Sequence, residues 1–163
     1  MLLRFCQWLY ASGFGTHIRE SVWLFPIIET VHVLGITLLV GTIAILDLRL
    51  LGLVLKRETV SRVASQILPL TWTGFVVMFA SGCLLFSAEA ADSYSNIAFR
   101  IKVVLLLLVG LNPLIFHLTI FRTVGDWDRA AITPFRARLA GGLSLTLWAA
   151  IICAGRAMAY LQK

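Results

Sequence analysis

Four long apolar runs, at residues 25–46, 67–87, 98–121 and 139–161, alternate with short polar connections along the chain. A helix rises 1.5 Å per residue, so about twenty such residues cross a hydrocarbon core of roughly 30 Å. No two-residue alternation of a half-buried strand competes with this reading. The pattern predicts an all-α, polytopic membrane protein in which residues 24–163 form one four-transmembrane-helix bundle. That leaves residues 1–23 as a separate segment.

Within that segment, Leu2, Leu3, Phe5, Cys6, Leu9 and Tyr10 interleave with Arg4, Gln7 and Ser12. This spacing suits a short N-terminal helix lying in the membrane interface, with Trp8 as its anchor. The apolar patch is too short for a secretory signal and lacks a clear cleavage site. Gly13-Phe14-Gly15 is expected to end the helix and leave His17 in a solvated loop. Pro26 falls in the first turn of the first crossing, where its missing N–H breaks no helical bond.

Polar residues inside the apolar runs carry the chemical interest, because ionisable groups in lipid usually face a partner, a cavity or a ligand. The first run holds Glu29 and His32, one turn apart. His32 falls about 9 Å below the outer boundary by residue rise. Cys83, Lys102, Cys153 and Arg156 fall in the same half, giving a candidate outer cluster. Glu29 with Arg156 or Lys102 would form a charge pair. The inner half holds Asp47, Arg49, Asn112, His117 and Arg122. Asp47 and Arg49 are two apart, do not share a helix face, and should anchor the inner boundary through different partners.

Charge adds an orientation. The formal net charge is +6, and 60% of residues are hydrophobic against 13% charged. Soluble domains carry about 25% charged residues, so the composition points to lipid. Arg49, Lys56, Arg57 and Arg62 follow the first crossing, and Arg122, Arg129, Arg136 and Arg138 follow the third. The positive-inside rule puts both connections in the cytoplasm and both termini outside. Basic residues so distributed form no dense face for nucleic acid, which is excluded as a partner. Lipid is the first partner, with a membrane or periplasmic protein, or a second copy of the chain, as further ones.

Cofactor chemistry rests on three histidines. One haem b held by His32 and His117 would need the two at one depth, whereas untilted helices separate them by about 12 Å. Tilt or a kink at Pro113 could narrow that gap. A copper or haem centre at His32 could instead draw a second ligand from His17, Cys153 or Met158, with Glu29 orienting the imidazole. The three cysteines show no metal-binding spacing. No phosphate loop, catalytic triad or zinc-hydrolase signature is present, so independent catalysis is not expected.

The segment FPIIETVHVLGITLLVGTIAILDLRLLGL, with NPLIFH in the third run, resembles a family of small uncharacterised bacterial inner-membrane proteins with four crossings. The likeness is most specific at Glu29, His32, Gly41, Asp47 and Arg49 and implies no activity. More distantly, HVLGITLLVG is similar to CopD-type copper-resistance membrane domains and to helices of b-type cytochromes, which implies a metal or haem. Three functions follow as expectations: an electron-transfer module binding haem b or copper near the outer face, a handler of copper ions, or a non-catalytic structural subunit of a membrane complex.

Overall fold

The computed structural model describes residues 1–128, 130, 132–158 and 160. Its elements are α1 (Leu2–Tyr10), α2 (Gly13–Glu20), α3 (Leu24–Leu50), α4 (Val60–Ser95), α5 (Ile97–Thr119), a 3-10 turn (Phe121–Thr123), α6 (Val124–Trp127) and α7 (Phe135–Met158). No strand occurs among the described residues. Four helical stretches are long and apolar enough to cross a membrane: α3, α4, α5 with its continuation to Trp127, and α7. These mark the chain as an integral membrane protein. The expected fourth crossing ran to residue 161, whose end lies outside the described residues, as does Arg129.

α4 departs furthest from its apolar run, starting before residue 67 and continuing past residue 87. At its start the Thr59 side chain accepts from the Arg62 amide, and Asp128 Oδ1 accepts from the Ser61 amide at 3.2 Å. These bonds satisfy amides a helix start leaves orphaned, so polar residues continue the helix beyond its apolar part. At its far end Ser87, Ala88, Ala90 and Ser93 are buried small residues. They make the surface on which the N-terminal helices pack.

That packing corrects the expected N-terminus. The Gly13-Phe14-Gly15 stretch begins a second helix, because the Ser12 hydroxyl caps it by accepting from the Gly15 amide at 3.1 Å. His17 therefore sits, exposed, on a helix and not in a loop. Gly15 lies directly on α4: a β-carbon there would stand 2.6 Å from the Ser87 carbonyl oxygen. Cys6 and Ile18 are buried, Ile18 against Ile28 and Ala88. Leu2, Phe5, Trp8 and Phe14 remain exposed on the other side, as an interfacial location requires.

α3 and α4 form the closest pair. Hypothetical β-carbons at Gly74 and Gly35 would come within 2.7 Å of the Leu39 amide and 2.9 Å of the Met78 amide, so the two backbones touch where side chains are missing. α5 pairs with α7, and α3 with α7 joins the two pairs. The joint is filled by Leu39, Val109, Trp148 and Ile151. Because α4 and α5 share little contact, the order across the bundle is α4, α3, α7, α5.

Two backbone features complete the frame. α5 continues through Pro113, and the departure from helical torsions lies instead at Glu89 in α4 (φ −123°, ψ 23°). The α3 C-terminus closes with Gly52 at φ 74°, its amide donating to the Arg49 carbonyl while the Leu53 amide donates to that of Leu48. This double bond pattern stops the helix and needs a left-handed residue at Gly52. The α3–α4 and α5–α7 connections define one end, here the loop face. The α4–α5 turn and the N-terminal helices define the other, the terminal face.

Candidate functional site

His32 is the half-buried centre of the polar interior near the terminal face. Its Nδ1 lies 3.0 Å from the Met78 carbonyl oxygen and 3.0 Å from Ser81 Oγ. A carbonyl only accepts, so Nδ1 carries the proton and Nε2 keeps the free lone pair. Ser81 passes its own hydrogen to the Val77 carbonyl at 2.6 Å. The ring fits against α4 because residue 82 is glycine: a β-carbon there would lie 3.1 Å from His32 Cε1.

Of the expected outer cluster, the structure brings Glu29 and Lys102 within electrostatic reach of His32. Lys102 is partly buried, with Nζ beside Gly155 of α7. Glu29 is exposed, and Glu89 and Asp92 form an acidic neighbourhood with it at the α4 kink. The other members turn away. Cys83 and Cys153 are exposed free thiols, and Arg156 is exposed, donating to the Tyr160 hydroxyl at 3.3 Å. The expected Glu29 pairing with Arg156 or Lys102 is not formed: among the described residues the ion pair is Arg62 with Glu58 at 3.2 Å. Met158 is half-buried, and its carbonyl accepts from Asn96 Nδ2 at 3.3 Å.

His117 does not join this group. It lies fifteen residues beyond Lys102 on α5, about 22 Å further along the axis. There it is exposed and stacked on Phe121, ring centroids 5.4 Å apart. With His17 exposed on α2, the residues do not fit a bis-histidine haem between the helices. Among the described residues no three His, Cys, Asp or Glu side chains gather as a metal site.

Deeper polar groups tie helices together. The Thr71 hydroxyl donates to Thr42 Oγ1 at 2.9 Å, and Thr42 donates to its own helix at Leu38. Asn112 Nδ2 donates to the Ala140 carbonyl at 3.0 Å, linking α5 to α7. Asp47 is buried where α3 meets Gly141 of α7, with the Ser144 hydroxyl beside its carboxyl. Arg49, also buried, donates from Nε to the Glu58 carbonyl at 2.8 Å. Near the terminal face, Arg19 donates to the Ala88 carbonyl at 3.0 Å and to that of Tyr10 at 3.2 Å, with its guanidinium 3.9 Å from the Tyr10 ring centroid.

Thr42, Thr71, Ser81, Ser144, Glu89 and Arg19 were not singled out by sequence reasoning. A signal for three of them, Thr42, Thr71 and Ser81, existed. His32, Gly35, Leu39, Thr42, Leu46 and Arg49 follow a three-four spacing, as do Ala64, Ile67, Thr71, Gly74, Met78 and Ser81. That is the seam of two helices packed along their length. Ser144, Glu89 and Arg19 had no such register to reveal them.

The model of a family of unknown function, DUF6644, matches residues 8–161, and the chain belongs to that family. No curated protein and no solved structure matches the chain. The match brings no CopD-type or cytochrome similarity with it.

Proposed function

For a DUF6644 member with this interior, we propose a non-catalytic structural subunit of the bacterial inner membrane. It spans the bilayer four times with both termini in the periplasm, and its buried polar residues lock the bundle for a membrane or periplasmic partner. One observation carries the reading: His32, Thr71, Asn112, Asn96 and Arg19 each spend a polar group on a carbonyl or hydroxyl of a neighbouring element. Polar residues used in this way fix helix register. The orientation is supported by Arg49, Lys56, Arg57, Arg62, Arg122, Arg136 and Arg138 at the loop face.

The test is a double-mutant cycle of Thr42→Val and Thr71→Val, read by reversible unfolding in detergent. A membrane hydrogen bond between side chains averages about 0.6 kcal/mol. The expected outcome is a coupling of that order; strictly additive losses would contradict the locking role.

A second reading is favoured by the free Nε2 of His32. An imidazole whose Nδ1 is held by a carbonyl is arranged to offer its other nitrogen to a metal. Under this reading His32 is a single protein ligand to copper or haem, with the remaining ligand supplied from outside the described cluster. It predicts a bound metal or chromophore that leaves with His32→Ala.

A further inference from the structure

Asp47 and Arg49 are the two charged residues of the stretch IAILDLRL, and among the described residues the fold gives the Asp47 carboxylate no cation to pair with. The residue is 6% exposed, and its Oδ2 has no hydrogen-bond partner among the described residues. The backbones set this up. A β-carbon on Gly141 would lie 3.0 Å from the Asp47 carbonyl oxygen, so α3 and α7 nearly touch there. Helical side chains lean toward their own N-terminus. In this antiparallel pair the Asp47 carboxyl therefore leans along α7 toward Ser144, and Ser144 leans back toward it.

Among the described residues no cation answers this carboxyl. Arg49, on its own helix, is turned to the Glu58 carbonyl. From α4, Arg62 is exposed and paired with Glu58, and from α7, Arg138 is exposed. Asn112 of α5 is bonded to Ala140. An ionised carboxylate removed from water without a partner is strongly disfavoured. One carboxyl and one hydroxyl are too few oxygens for a hard metal cation, which takes six or more. A proton needs only one.

We propose that Asp47 is a proton-binding site inside the bundle, whose carboxyl carries a proton at neutral pH while α3 and α7 are packed around it. Release breaks the carboxyl O–H bond and leaves hydronium; uptake is the reverse, with no other reactant. The site goes beyond the locking role and would stand or fall separately from it.

The test is infrared spectroscopy of the full chain in liposomes at neutral pH, with the side-chain carboxyl of aspartate labelled with carbon-13. The other aspartates, Asp92, Asp126 and Asp128, are not buried. A protonated-acid carbonyl band that shifts with the label, disappears in Asp47→Asn and moves in Ser144→Ala is expected. The label alone decides the matter if either variant fails to fold. Absence of any label-sensitive acid band, or its loss when sodium chloride replaces choline chloride, would overturn the proposal, the second by making the site one for sodium.

Discussion

Among single residues, the missing side chains matter as much as the polar ones. At Gly35 and Gly74 the α3 and α4 backbones occupy the space a β-carbon would need, and the obstructing atoms are backbone amides that cannot swing away. Overpacking of this kind costs about 1–3 kcal/mol. Gly74→Ala should therefore lower the unfolding midpoint in detergent clearly, while Gly110→Ala, which meets open space, should leave it nearly unchanged. Equal effects at both positions would contradict the packing described. His32→Gln keeps a donor near Met78 and should be milder than His32→Leu, which leaves the carbonyl and Ser81 unserved; thermal unfolding of both variants checks the order.

The long helices were legible in the sequence because lipid selects their composition over a whole turn-by-turn length, and α3, α5 and α7 each overlap the expected run closely. Their ends were not, because ends depend on capping groups: Thr59 and Asp128 extend α4 backward, and its packing with α1 and α2 carries it forward past Ser87. Gly52 shows the same dependence at the α3 terminus, where a left-handed torsion is required. Gly52→Ala should cost about 1 kcal/mol, since the helix-ending bonds need a conformation that alanine resists. Arg19 is the element-scale link least visible in sequence, since it serves a carbonyl beside the Glu89 kink that no pattern announces. Arg19→Met should loosen α1 and α2 from α4, seen as faster proteolysis before Leu24 with the rest of the chain protected. Unchanged cleavage would remove Arg19 from that role.

Across the whole molecule, the bundle is two helix pairs joined through α3 and α7, with polar bonds distributed over its depth. The sequence placed Glu29, His32 and Lys102 in one half, and the fold keeps them near each other; depth alone could do that. Depth could not say that Cys153 and Arg156 face outward, because facing is set by helix rotation, nor that His117, which depth did place in the inner half, is exposed and stacked on Phe121. Orientation in the membrane is checked by cysteine labelling in a background without Cys6, Cys83 and Cys153. An impermeant maleimide should reach Ser95→Cys from the periplasm and Lys56→Cys only after the membrane is opened; the reverse pattern would invert the topology. The most direct test of the central claim, that the interior polar residues lock helices and hold no cofactor, is a reduced-minus-oxidised visible spectrum with metal analysis on the purified full chain and its His32→Ala variant. The account predicts a colourless protein without stoichiometric metal, and a variant that differs from it only in stability. A near-stoichiometric haem or copper present in the parent and lost in His32→Ala would contradict it and make His32 a ligand.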